Sequence, residues 1–514
     1  MKKIFFVAVC IATFKPGFGQ EPADALRYSW YTPNGTARQQ AIGGAMGSLG
    51  GEISTLFVNP AGLGFYKTGD FAFTPGYNMM NSKGTYFIRN ESASKNNLSF
   101  GTTGFVLGSP HYQNKKQVRS SAISIAINRT ANFSNTILYR GSQNQSSMSQ
   151  KFLEEIRNGN IKDANAVAQN FPFGTSLAFN TYWIDTIGGG TAGNYQFQTR
   201  APIASGLLQE NSITSKGGIT ELALGGATNY NDKLYIGAAF GLPFLYYKRE
   251  GVFTEADATT NTGNKFDFAQ FSETLSTNGI GLNMKAGVIY KPTEYVRLGI
   301  ALHSPTYYRL TDKYNASITT HTESYQGQQT QNSGLFTNGK DAEFKYTLLT
   351  PYRVIASASY VLREIADVRK QKGFLTADIE YTNYKASSYH PDETNNDAST
   401  KSYLKSLNKA IDKAYKGALN IRVGGEIKFT TIMARLGGAY YSNPYKNING
   451  EKGSRVLLSG GLGYRNKGVF VDLTYVHQVT KEVHFPYRLQ YTPFSGAAIK
   501  NTGGNVVLTV GFKI

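Results

Sequence analysis

Apolar and polar side chains alternate with a period of two along much of the chain. In 280–290, Ile280, Leu282, Met284, Ala286, Val288 and Tyr290 form one face, and Gly281, Asn283, Lys285 and Gly287 form the other. In 419–429, Leu419, Ile421, Val423, Ile427 and Phe429 oppose Asn420, Arg422, Gly424, Glu426 and Lys428. Segments 234–242, 296–302 and 506–514 repeat the theme. Successive side chains of a strand face opposite sides, so each segment predicts a β-strand with one apolar face. An antiparallel sandwich also alternates, but its strands average roughly five or six residues. These run for about ten or more, enough to cross a bilayer in a tilted barrel wall.

The connections alternate in length as well. Short turns fall near 230–233, 291–294, 430–431 and 466–468, and long polar segments at 248–277, 305–345, 385–416, 442–453 and 480–502. Membrane barrels place short turns on the periplasmic side and long loops outside. Strands are expected near 70–78, 96–108, 119–140, 218–229, 234–247, 278–290, 295–304, 346–361, 374–384, 417–429, 431–441, 454–465, 469–479 and 503–514. A turn at 109–118 and one long outer loop at 141–217 complete the order, and Tyr86–Arg89 either extends the first strand or adds another. The even count brings both chain ends to the periplasmic side. The expected fold is all-β: a transmembrane antiparallel β-barrel of about fourteen strands over 70–514.

Two outer loops carry helical spacing, one through Phe152, Leu153 and Ile156, the other through Tyr403, Leu404, Leu407, Ile411 and Ala414. Each reads either as a lid over the barrel mouth or as packing. Phe171, Phe173, Leu177, Phe179, Tyr182 and Trp183 crowd together in the first of these loops. They form either an external apolar groove or a cluster that pins the loop.

The chain opens with Lys2, Lys3 and the apolar run 4–14, followed by Gly17 and Gly19. That is the layout of a secretory signal peptide, 1–19, cleaved before Gln20. The single cysteine, Cys10, lies inside it, so the exported chain has no disulfide, thiolate ligand or cysteine nucleophile. Gly (55), Tyr (34) and Phe (31) are abundant, and no apolar run after the signal reaches the ~20 residues of a membrane helix. Aromatic girdles with no apolar helices suit a barrel. The formal charge of +19 is scattered and includes no recognition helix, so no nucleic-acid partner is expected. A solvated loop surface facing anionic lipid accounts for it.

The segment 20–69 is Gly-rich, lacks alternation and has the size of a plug folded back into the lumen. The run Gly43-Gly44-Ala45-Met46-Gly47, then Leu56-Phe57-Val58-Asn59-Pro60-Ala61-Gly62-Leu63, resembles the N-terminal hatch of the FadL/TodX family of outer-membrane transporters. Its core, Asn59-Pro60-Ala61, matches that family's Asn-Pro-Ala signature. The resemblance extends over the exported chain and implies several things. The protein would be a passive channel in the outer membrane of a Gram-negative bacterium, taking up hydrophobic small molecules such as long-chain fatty acids or aromatic hydrocarbons. A hatch would gate or anchor through Asn59, Pro60 and Ala61. A kinked third strand would provide a sideways exit into membrane lipid, and here alternation in that strand breaks at Asn128-Arg129-Thr130-Ala131-Asn132.

The residues offer no competing chemistry. The six histidines make no HExxH or other metal spacing, and there is no GxSxG elbow. Gly188, Gly190 and Gly193 fit GxGxxG but sit in a loop without a βαβ unit. No enzyme activity, cofactor or metal is expected. A second reading is a barrel scaffold in a protein-secretion system, which some relatives of this kind are. A third is a water-filled porin, favoured by Lys285, Arg422, Glu426 and Lys428 on the inner face and opposed by the hatch. Those charges equally suit holding the hatch in place.

Overall fold

The computed structural model describes residues 21–31, 34–111, 117–188, 190–191, 193–363, 372–446 and 450–514. The proposed signal, 1–19, lies outside the described residues.

One antiparallel sheet closes on itself as a fourteen-strand barrel. The strands are β1 (70–86), β2 (89–110), β3 (118–143), β4 (Leu207–Tyr230), β5 (Leu234–Asp257), β6 (Phe268–Tyr290), β7 (296–321) and β8 (342–362). There follow β9 (Gly373–Asn383), β10 (Gly417–Phe429), β11 (Ile432–Tyr441), β12 (Arg455–Asn466), β13 (Val469–His484) and β14 (Ala497–Lys513). Strand β1 pairs with both β2 and β14, which closes the wall. The turn between β4 and β5 places Asn231 and Asp232 at φ 53° and 56°. Positive φ at both central residues gives the twist of a tight hairpin, and Asn and Asp tolerate it.

The outward face of the expected strands is apolar and exposed, as at Phe240, Leu282, Ile300, Ile379, Leu436, Leu458 and Leu508. Exposed large apolar side chains around a closed barrel define a membrane-spanning band. The inward face carries buried polar and charged groups such as Glu221, Lys285, Asp378, Arg422 and Asp472. No described helix is long and apolar enough to cross a membrane.

Several strands run further than alternation predicted. β5 and β6 continue to Asp257 and back from Phe268, where a loop at 248–277 was expected. β4 begins at Leu207, which shortens the expected loop 141–217. β7 and β8 likewise reach into the expected loop 305–345. Tyr86 ends β1 and Arg89 begins β2, so the first strand extends to Tyr86, one of the two expectations for Tyr86–Arg89, and 79–95 is a hairpin. The reason is common to all. Above the bilayer both faces of a strand meet polar surroundings, and the period-two signal vanishes while the ladder continues.

Residues 21–31 and 34–66 lie in the lumen, packed on inward-facing residues of the wall. They contain α1 (Pro22–Ser29), α2 (Ala37–Ala41) and two short 3₁₀ turns, Ile53–Phe57 and Pro60–Phe65. The outer loop after β3 holds α3 (Ser149–Asn158), α4 (Ala164–Gln169) and α5 (Thr175–Asn180), and the loop after β9 holds α6 (Ala398–Ala414). Phe152 and Ile156 of α3 bury with Leu177, Ala178 and Trp183 in one cluster. Of the expected loop cluster, Leu177, Phe179 and Trp183 therefore pin the loop, while Phe171 and Phe173 face a cavity.

Candidate functional site

The Asn59-Pro60-Ala61 turn sits on the floor of the plug against the wall. Asn59 is fully buried and caps the 3₁₀ turn Pro60–Phe65, its Oδ1 accepting from the Ala61 amide at 3.1 Å. Its Nδ2 donates to the Gly47 carbonyl at 2.6 Å, with longer approaches to the carbonyls of Val288 on β6 and Ile300 on β7. Glycine makes this reach possible. A Cβ at Gly287 would lie 2.7 Å from Asn59 Cγ, and one at Gly237 2.5 Å from the Ala61 nitrogen. Phe65 stacks on Tyr235 of β5 with ring centroids 3.8 Å apart. The alternating pattern placed Gly287 on the inner face, but nothing in it marked that glycine as a seat for the plug.

Charged groups clamp the rest of the plug. Asp378 on β9 accepts from the amides of Met46 (3.1 Å) and Gly47 (3.1 Å) and faces Arg422 on β10 at 3.5 Å. Arg38 of α2 pairs with Glu426 at 3.2 Å, which also pairs with Arg435 at 2.6 Å, and Arg435 reaches Asp472 at 2.6 Å. Of the inner charges named from the sequence, Glu426 and Arg422 thus serve the plug, whereas Lys285 pairs within the wall with Glu221. Buried ion pairs contribute little net stability but are costly to break one-sidedly, so these charges fix position more than they strengthen the fold.

Above the plug, α1 occupies the upper lumen. Ala25, Leu26 and Tyr28 bury against Ile219, Leu245, Tyr247, Tyr346 and Leu348 from the wall and against Leu404, Leu407 and Ile411 of α6. Helix α6 thus covers this core from outside. Helix α1 begins with a reciprocal Glu21–Asp24 capping box and Pro22 in its first turn. That Glu-Pro-x-Asp signal was present in the sequence and was passed over.

Between α1 and the loop helices lies a cavity of about 420 Å³. Phe152, Phe171, Phe173, Phe253, Phe271 and Ile213 supply apolar wall, and Arg249, Lys151, Glu21, Glu273 and His484 supply charge. Arg249 pairs with Glu273 at 3.1 Å, and the Tyr314 hydroxyl donates to the same carboxylate at 2.8 Å. The Arg249 Nε is buried and has no hydrogen-bond partner among the described residues. Burial disfavours the Glu21 carboxylate, but Arg249, Lys151 and Arg27 outweigh it and hold its pKa below the ordinary value. Burial and the Arg249 charge push His484 down to about 4. Sequence reasoning did not find this group, because Arg249, Glu273 and Tyr314 lie in segments read as loop.

The loop that roofs the cavity is tied down at Glu255, beyond the membrane band of β5. Its carboxylate accepts from Trp183 Nε1 (3.0 Å), Gln209 Nε2 (3.0 Å), the Met148 amide (3.2 Å) and the Ser147 hydroxyl. Burial raises its pKa to about 7 against the pull of those four donors.

Among the described residues, the ladder between β2 and β3 covers only part of both strands. The ladder between them runs from Pro110–Ser120 to Thr103–Ile127 and stops there. Residues 89–100 of β2 pair only with β1, and the outer part of β3 pairs only with β4. Strand β3 carries a register shift between Arg129 and Ala131, inside the segment Asn128–Asn132 where alternation broke. Beyond it, β3 lies against the inner face of β1. Ser82 donates to Asn135 at 2.8 Å, and Tyr86 packs on Tyr139 with ring centroids 5.2 Å apart. A smaller cavity of about 50 Å³ touches Thr130 and Ala131 from inside, and Tyr28–Tyr31 of the plug line its other side.

The architecture is that of the FadL/TodX-type channels. A FadL homologue from Pseudomonas aeruginosa has a similar structure, with TM-score 0.53 and 13% identity, covering 94% of this chain and 99% of that one. The Pseudomonas putida toluene transporter TodX gives TM-score 0.52 and 11% identity over 94% and 99%. No protein-family model matches the sequence, and no curated protein matches it.

Proposed function

We propose that the protein is an outer-membrane channel for passive uptake of hydrophobic small molecules, with the interrupted β2–β3 wall as the exit. The interruption is the observation that carries the reading. The plug lies in the lumen, with α1 and α6 burying a core at its upper end, while the ladder between β2 and β3 stops at Thr103–Ile127. A solute leaving there enters lipid, which selects for apolar molecules. The similarity in fold to the toluene transporter TodX supports the same reading.

The outer cavity is the capture site in this account. Its aromatic wall suits an alkyl chain or ring, and Arg249 and Lys151 suit an anionic headgroup, so a long-chain fatty acid fits both parts. From there the solute displaces α1 from the upper lumen and reaches the space beside Thr130 and Ala131. Asn59, Pro60 and Ala61 act as the anchor that keeps the plug seated during this passage, since Asn59 is fully buried and spent on backbone groups.

The test is binding of labelled oleate and of toluene to the delipidated barrel in bilayer discs. Saturable binding of either at one site supports the channel. No binding of either, together with stoichiometric co-purification of other proteins, would replace it with the secretion-scaffold reading.

A further inference from the structure

Asn34 lies where the wall loses its ladder. Its Nδ2 donates to the Phe100 carbonyl of β2 at 2.9 Å and to the Arg129 carbonyl of β3 at 2.9 Å. One side-chain amide of the plug therefore bridges two strands whose backbone ladder has stopped. Its orientation is fixed by Gln40, whose Nε2 donates to Asn34 Oδ1 at 2.8 Å, and Gln40 is held in turn by Asn505 of β14 at 3.0 Å. Asn128 of β3 donates to the Asn34 carbonyl at 2.8 Å, so the backbone is stitched as well. The next residue, Gly35, fits into the gap between the two pieces of β2. A Cβ at Gly101 there would come within 3.1 Å of the Gly35 carbonyl carbon.

We propose that Asn34 is the latch of the β2–β3 seam: a positioning residue whose amide replaces the missing rungs and ties closure of the wall to seating of the plug. Two hydrogen bonds in a partly exposed site hold modestly, which suits a contact made to open. Withdrawal of the plug at this point frees both carbonyls together, and one side-chain bond, Asn132 to Asn97 at 3.4 Å, and the inward packing of β3 then oppose separation. Two residues after Asn34 comes Thr36, the cap of α2, which Glu52 and Ser54 hold within the plug body. Movement of the plug is therefore conveyed to the seam through a short, hydrogen-bonded segment. This inference rests on the proposed sideways exit, but its test needs no substrate.

The chain after Gln20 contains no cysteine, so paired spin labels report cleanly. One pair, Leu98→Cys with Ile127→Cys, spans the seam from the lipid side. A second, Leu98→Cys with Val506→Cys, spans the intact ladders of β1, since Tyr77 pairs with both positions. Asn34→Asp keeps the shape and removes the donor, and Asn34→Ala serves as a second variant. Folding of each is verified by heat-modifiable migration. The expected result in bilayer discs is a seam distance that lengthens or broadens by about one strand spacing, roughly 5 Å, with the control pair unchanged. An unchanged seam in both folded variants overturns the latch. Equal broadening of both pairs also overturns it, because that is general loosening. Failure of oleate and toluene to bind the wild-type protein would instead count against the channel reading, leaving the seam result to stand.

Discussion

Gly287→Ala should unseat the plug without harming the barrel. The new methyl would lie 2.7 Å from Asn59 Cγ and closer still to its oxygen, so the side chain must withdraw. Withdrawal breaks the 2.6 Å bond to Gly47 and the 3.1 Å cap on Ala61, and weakens the approaches to Val288 and Ile300. A net hydrogen bond is worth about 0.5–1.5 kcal/mol, and a buried group left unpaired costs about 1–3 kcal/mol. The plug should therefore lose about 2–4 kcal/mol of docking energy, or roughly 30- to 700-fold in its local opening equilibrium. Hydrogen exchange over 42–66 in bilayer discs reads this directly, because local opening governs protection. Asn59→Ala should give a loss of similar size, and the double variant little more than either, since both remove one interaction. Gly438→Ala is the control: it faces outward, and its Cβ meets nothing nearer than 3.5 Å. Protection in Gly287→Ala within threefold of wild type would refute the claim that this glycine seats Asn59.

Arg249→Ala should weaken binding of oleate about tenfold to a hundredfold, the about 1.5–3 kcal/mol of a charged hydrogen bond, and leave toluene binding unchanged, as measured by titration with labelled ligand. The Glu255 tie should depend on pH. Its pKa is raised from about 4.5 to about 7, so its contribution is complete below pH 4.5 and is lost as pH rises through 7. Exchange at 147–152, corrected for intrinsic rates, should then be faster at pH 8.5 than at pH 5.5, and Glu255→Gln should abolish the difference. Ile300→Arg places a charge on the lipid face, where Ile300 is 64% exposed. It should cost about 2–4 kcal/mol of barrel stability in denaturant titration near the bilayer centre, whereas Ile300→Leu should cost almost nothing.

The sequence made the membrane-crossing parts of the barrel legible because there the two faces meet different media, lipid and a polar lumen. Strand number and order followed from that contrast. It failed where the contrast disappears: at 79–95, with Asn81, Lys83, Ser92 and Ser94, and at 207–217, both above the bilayer. The lumen was harder. Gly237 and Gly287 are visible as gaps in an apolar pattern, but only the fold shows what fills them. Arg249 and Glu273 are neighbours solely because β5 and β6 pair that far out. Asn34 is a lone polar residue between Pro33 and Gly35, and its meaning lies in two carbonyls 66 and 95 positions away. The break at Asn128–Asn132 was readable as a loss of alternation, while the register shift that causes it was not.

The most direct test of the account is uptake of labelled oleate by cells lacking their own fatty-acid transporter, comparing this chain with a variant cross-linked across the seam through Leu98→Cys and Ile127→Cys. The account predicts uptake that requires the wild-type chain, is abolished by the cross-link and returns on reduction. Uptake that persists with the seam cross-linked would contradict a sideways exit, and a folded barrel that never supports uptake would contradict the channel itself.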